Sequence, residues 1–283
     1  MSTPNAPRIS PAVAAFRALH ESGCFVLPNP WDIGTAVYLQ HLGFKALATT
    51  SGGFAFTQGL ADNQVPRDLV LSHVRDIVAA VSIPVNADFE GAFAREPEAV
   101  ASNVALCVAT GVAGLSIEDA SGDRDAPLYE TTLAVERIRA ARAAIDATET
   151  GVLLTGRCEA WLVGQPAPRR AVLERLVAYA DAGADCLFAP GVRDPADIES
   201  IVKAVHPKAV NVLVSAPAPG LSVARLAELG VRRVSVGSAL ARTAWGGFIR
   251  AARRLAEAGS FEGFADAAPF PELNGFFGER RRD

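Results

Sequence analysis

Four cysteines in 283 residues, without the paired spacing of a zinc module, leave no disulfide scaffold and no zinc knuckle to build on. Basic residues are not in excess: 27 Lys and Arg stand against 31 Asp and Glu, a net charge of −4. That excludes the electrostatic footprint of a nucleic-acid or acidic-lipid binder. No apolar run approaches the length of a membrane span. The first ten residues, MSTPNAPRIS, lack a basic-then-apolar leader pattern, so the expectation is a soluble, reduced, cytoplasmic protein. There is no GxGxxG, no Walker loop and no Ser-His-Asp order. Aromatics are only 7% of the chain, yet apolar residues reach 50%, enough for a large core.

What is present is a repeating unit. QHLGFKALATT, CVATGVAGLSIED, YADAGADCLFAP and LAELGVRRVSVG each read as a helix end, a glycine and a short apolar run. Gly43, Gly111, Gly183 and Gly230 stand where a helix would close in the left-handed C′ conformation. Eight apolar runs, centred on Phe25, Ala46, Val85, Leu115, Leu153, Leu187, Val212 and Val234, are candidate strands. Each is followed by a helical pattern, at about 30 residues per unit, as a βα unit requires. The fold class is therefore α/β, and eight units predict a (β/α)8 TIM-type barrel. A doubly wound open sheet is the alternative. Residues 1–22 form an N-terminal helical segment that caps the barrel bottom, residues 23–258 the barrel, and residues 259–283 a packing tail. The stretch FEGFADAAPFPELNGFF holds five Phe in 17 residues and is expected to pack on its own barrel or on another subunit.

Barrel enzymes carry their chemistry at the C-terminal ends of the strands. Those positions hold Ser51, Gly52 and Gly53 with Asp62 beyond them, then Asp88 and Glu90, Glu118, Arg157, and Asn211. Asp88 and Glu90 are two residues apart, so on a strand both face the same way. Paired carboxylates repel unless a proton or cation lies between them. Asp88, Glu90 and Glu118 suit Mg²⁺, which prefers oxygen and keeps several waters. Equally, they read as acids paired with surface Lys or Arg. Ser51-Gly52-Gly53 reads as an anion-binding loop or as a plain turn. Arg157 reads as a bidentate carboxylate clamp or as a structural partner of Glu159 or Asp185. The four histidines fall on predicted helices and are read as structural.

TTSGGFAFTQG, NADFEGAF, SIED, GRCEAW and NVL, in that order, resemble the isocitrate lyase/phosphoenolpyruvate mutase superfamily. The resemblance implies a (β/α)8 barrel, in dimers or tetramers, with its last helix often exchanged between subunits. It implies Mg²⁺ or Mn²⁺, with Asp88 as direct ligand and Glu90 and Glu118 reaching the ion through water. It implies Asp62 as a supporting acid, Ser51, Gly52 and Gly53 as the carboxylate loop, and Arg157 as the carboxylate-binding arginine. It also implies a small 2-oxo acid or dicarboxylate substrate and a metal-stabilised enolate.

Two departures are specific to this chain. Glu90 stands where the family usually has Asp. The segment after strand four, EDASGDRDAPLYE, lacks the lyases' Lys-Lys-Cys-Gly-His lid, and the mutases' lid is absent too. The expected activity is a lyase or decarboxylase on a small 2-oxo or 2-hydroxy acid. Phosphonopyruvate-type phosphorus–carbon chemistry, or oxo-acid binding without turnover, are the alternatives.

Overall fold

The computed structural model describes residues 9–164 and 166–279. Eight parallel strands form one sheet: β1 Phe25–Leu27, β2 Leu47–Ala48, β3 Val85–Asp88, β4 Gly114–Glu118, β5 Leu153–Arg157, β6 Cys186–Phe188, β7 Ala209–Leu213 and β8 Arg233–Ser235. Their order, β1-β8-β7-β6-β5-β4-β3-β2, is that of a barrel. The β1 and β2 edges are joined by one backbone bond, from the Ala48 N–H to the Pro28 carbonyl at 3.0 Å. Each strand includes or adjoins one of the eight expected centres, and the unbroken sequential order with β1 paired to β8 excludes the doubly wound open sheet.

The helices are α1 Pro11–Glu21, α2 Ile33–His41, α3 Ser51–Thr57, α4 Arg67–Ala80, α5 Pro97–Val108, α6 Thr131–Ala147, α7 Arg169–Asp181, α8 Pro195–Val205, α9 Val223–Glu228, α10 Ala239–Ala258 and α11 Phe270–Glu279. The four repeat glycines all have φ between 87° and 106°, the left-handed value that ends a helix without a Cβ clash. Strand residues such as Leu115, Leu154, Leu187 and Val212 are fully buried and belong to one continuous core. Truncating any of them costs about 2–5 kcal/mol.

Helix α1 closes the bottom of the barrel. Ser10 caps it, accepting from the Val13 N–H at 3.2 Å. Its fully buried Phe16 lies against Gly114, the first residue of β4, where a Cβ would meet the Phe16 ring at 2.7 Å. Arg17 donates to the Gly151 carbonyl at 2.7 Å. The His20 Nδ1–H donates to the Phe16 carbonyl at 2.7 Å, which leaves Nε2 to accept from Arg233 at 3.4 Å. Burial and the Arg233 charge push the His20 pKa down to about 3, so this ring is neutral and structural.

The chain divides into two compact units, one running to Ala239 and one from Leu240 onward. In the second unit the turn at Gly263 approaches the α10 backbone, where a Cβ would lie 2.7 Å from the Ala251 Cα. Trp245 and Phe248 meet edge to face at 5.3 Å. Phe248, Phe261 and Phe270 are 61%, 69% and 77% exposed on the single chain.

Candidate active site

Three strands end in the charged side chains that meet. Asp88 closes β3, Glu118 closes β4 and Arg157 closes β5, and the register pairs Glu118 with Arg157 directly. The Arg157 Nη1 lies 3.3 Å from Asp88 Oδ1 and 3.1 Å from Glu118 Oε2. Its Nε donates to Glu159 Oε1 at 2.5 Å, and its plane lies 5.4 Å from the Phe188 ring centre. Burial alone would lower its pKa. Glu118, Glu159 and Asp88 outweigh that and hold the guanidinium protonated. Both ends of the sequence reading are thus present: Arg157 pairs with Glu159, and it also stands among the strand-end acids. Asp185 instead pairs with Arg142 at 3.0 Å.

Glu90 reaches the cluster by a route that strand alternation does not describe. β3 stops at Asp88, and Glu90 has φ +49°, a left-handed turn that non-glycine residues seldom adopt. Ala92 and Phe93 follow at +56° and +54°. Burial, then the charges of Asp88 and Asp62, push the Glu90 pKa up to about 8, partly offset by Arg157. Glu118 is also raised, by burial first and by the neighbouring Glu159, Asp88 and Glu90, against Arg157.

Four acids around one guanidinium form a site that favours a further cation. The donors are hard oxygens, as Mg²⁺ or Mn²⁺ requires. Among the described residues no three His, Cys, Asp or Glu side chains are grouped closely enough to hold an ion directly. Asp88 is the best-fixed candidate for the direct role. Its N–H donates to Thr49 Oγ1 at 2.9 Å, and its Oδ2 accepts from the Ser51 N–H at 3.1 Å.

Ser51-Gly52-Gly53 is not a loop but the first turn of α3, capped by Thr50. This changes the expected anion cradle. The Ser51 N–H is engaged by Asp88 and the Gly53 N–H by Thr50 Oγ1 at 3.2 Å, which leaves the Gly52 amide. Gly52 sits close under Asp62, where a Cβ would lie 3.2 Å from Asp62 Oδ2. Asp62 itself is exposed, on the loop after α3. Asn211 is the other expectation the structure relocates. It is buried within β7, its amide donating to Ser235 Oγ and accepting from Arg233 Nε, both at 2.9 Å. It is therefore held within the barrel rather than offered at the mouth.

A supporting layer gathers around Asp119, the residue after β4. Asp119 accepts from the Glu159 N–H at 2.7 Å, from Arg175 at 3.1 Å and from the Tyr179 hydroxyl at 2.5 Å. Arg175 and Tyr179 are on the inner face of α7, four residues apart, as a helix face requires. Beside Glu90 and Glu118 opens a cavity of about 730 Å³, bordered by Arg95, Arg124, Tyr129 and the segment 120–123. That segment is an ordered hairpin: Ala120 bridges Leu128, and Ser121 Oγ donates to the Ala126 carbonyl at 2.5 Å.

Residues 16–256 match the family model of phosphoenolpyruvate phosphomutase. A candidate lyase/mutase of known structure from Burkholderia cenocepacia J2315 is 46% identical, with a TM-score of 0.91 over 94% of this chain and 96% of that one. Oxaloacetate decarboxylase of Pseudomonas paraeruginosa is 32% identical over 240 residues, 80% of this chain and 79% of that protein. Phosphonopyruvate hydrolase, solved with oxalate and Mg²⁺, is 25% identical, with a TM-score of 0.83 over 96% of each chain.

Proposed function

Because this chain belongs to the isocitrate lyase/phosphoenolpyruvate mutase superfamily, we propose that it is a Mg²⁺- or Mn²⁺-dependent carbon–carbon lyase or decarboxylase for a small 2-oxo or 2-hydroxy acid. Oxaloacetate is the first substrate to assay. The observation that carries this reading is the convergence of Asp88 and Glu118 on Arg157, with buried Glu90 beside them.

In this reading Asp88, with Glu90 and Glu118 beside it, would hold the ion. A divalent cation bound there supplies Lewis-acid stabilisation of the negative charge that develops on a 2-oxo oxygen. Arg157 has no partner on Nη2 among the described residues and is free there to clamp the substrate carboxylate. The Gly52 N–H, in the first turn of α3, supplies a second donor. Asp62 lies against Gly52 and backs that turn. Together these groups would fix the acid at the strand ends, beside the cavity under the hairpin. For oxaloacetate the C3–C4 bond breaks, CO₂ leaves, and its electron pair passes into the enolate of pyruvate. A solvent proton then completes pyruvate at C3.

A second copy of the chain is proposed to cover the exposed Phe residues of α10 and the tail, making a homodimer or homotetramer. The test of function is a panel of oxaloacetate, pyruvate, isocitrate, methylisocitrate and phosphonopyruvate with purified protein. Mg²⁺-dependent pyruvate formation from oxaloacetate, or solvent deuterium entering pyruvate, is expected, abolished by chelation and restored by Mg²⁺. Full turnover with metal absent by elemental analysis would reject the metal-dependent reading. Metal-dependent oxo-acid binding without turnover or exchange would make the protein a binder instead.

A further inference from the structure

Arg137, in the second turn of α6, is fully buried, yet it forms no ion pair among the described residues. Its donors go to backbone. Nη1 donates to the carbonyl of Glu118 at 3.1 Å. Nη2 donates to the carbonyls of Gly91 and, at 3.0 Å, of Ala94. One face lies 4.2 Å from the ring centre of Tyr129, where the hairpin re-enters α6. Nε is buried without a partner. The charges of Asp119 and Glu118 act on it, but a buried cation whose hydrogen bonds go to neutral carbonyls, with one donor idle, is costly for stability alone, and such departures gather at functional sites.

The carbonyls it holds belong to the two segments that carry Glu90 and Glu118. The β3–α5 loop runs through three left-handed non-glycine residues, Glu90, Ala92 and Phe93. Such a conformation persists only where neighbours over-determine it. Asn103 secures one carbonyl, that of Ala92, at 2.8 Å, and Arg137 secures those on either side. The Glu118 N–H donates to the Glu90 carbonyl at 3.0 Å, so the two segments are also bonded to each other. Gly91 makes room, since a Cβ there would lie 3.3 Å from Arg137 Nη2.

We propose that Arg137 is a positioning residue that sets the spacing of the Glu90 and Glu118 carboxylates, and thereby the affinity of the site for a divalent cation. This rests on the metal-dependent reading above. A planar fork reaches carbonyls on two segments at once, and a lysine ammonium does not.

The experiment measures Mn²⁺ affinity by electron paramagnetic resonance and Mg²⁺ affinity by calorimetry in wild type, Arg137→Met, Arg137→Lys and Gly91→Ala, with melting temperature alongside. Ile201→Ala on α8, buried and distant in the chain, serves as a control for lost stability. Expected is a loss of about 10–100-fold in affinity for Arg137→Met, the range for outer-shell partners of metal ligands. Arg137→Lys should be intermediate and Gly91→Ala should weaken binding. Ile201→Ala should melt earlier with its affinity kept. A folded Arg137→Met, or Arg137→Lys if the former does not fold, that binds within twofold of wild type overturns the proposal and leaves the metal reading intact. Equal loss in Ile201→Ala overturns it as well. A wild type that binds neither ion overturns both.

Discussion

At the scale of single residues, Arg157 and Glu90 define the site between them. Arg157 contacts three carboxylates through Nη1 and Nε and has Nη2 to give to a ligand. Arg157→Lys keeps the charge and loses the fork. Oxo-acid binding measured by calorimetry should weaken by about 1.5–3 kcal/mol, the range for a hydrogen bond to a charged group. Unchanged affinity in a folded variant would assign Arg157 a purely structural role. Glu90 gives the pH dependence. Its pKa rises from 4.5 to about 8 on folding, so between those values the metal-free folded state keeps a proton that the unfolded chain has released. Stability then falls as pH rises through that window. In chelator, the melting temperature should decline from about pH 5 to about pH 8. The stabilisation by added Mg²⁺ should grow over the same range, because the ion needs the carboxylate ionised. Melting curves with and without Mg²⁺ check both trends, and a Mg²⁺ effect that shrinks with pH would reject them.

Among the elements, the hairpin after β4 carries a prediction about the reaction. It is ordered by its own turn bonds: the Asp123 N–H donates to Ser121 Oγ at 3.0 Å and the Asp125 N–H to Asp123 Oδ1 at 2.9 Å. It has no Cys, His or Lys to protonate a carbanion-like product. Tyr129 is its one hydroxyl-bearing aromatic, and its ring is packed against Arg137. Isocitrate and methylisocitrate cleavage should therefore be slow or absent in a coupled assay. Tyr129→Phe should keep oxaloacetate decarboxylation within a few-fold, since solvent supplies the proton. Rapid isocitrate cleavage, or loss of decarboxylation in Tyr129→Phe, would place a proton donor in the hairpin after all.

For the whole molecule, the exposed aromatics of the second unit carry the prediction. Phe248, Phe261 and Phe270 leave large apolar surfaces in water on a single chain, an arrangement that favours association. Light scattering after size exclusion should give a dimer or larger. Phe248→Asp combined with Phe270→Asp should shift the population toward monomer. A wild-type monomer at micromolar concentration would reject self-association. No helix among the described residues is long and apolar enough to cross a membrane.

Local pattern in the sequence determined the barrel. Each strand includes or adjoins a short apolar run, four helices (α2, α5, α7 and α9) close on a left-handed glycine, and both signals act within about ten residues of chain. The same local reading placed Asp88, Glu118 and Arg157 at strand ends, because a strand end is marked by where its apolar run stops. Only the tertiary structure decided the rest. Glu90 enters the cluster through a positive φ that its side chain does not announce. The amides of Ser51 and Gly53 are engaged by Asp88 and Thr50, and Asn211 by Ser235 and Arg233. Arg137, Arg175 and Tyr179 sit on helical faces that read as ordinary amphipathic surface. Their partners lie 19 to 60 residues away along the chain. Periodicity reports which face of an element is buried. Which distant carbonyl or carboxylate a buried polar group meets is fixed only when the barrel closes and brings those segments together.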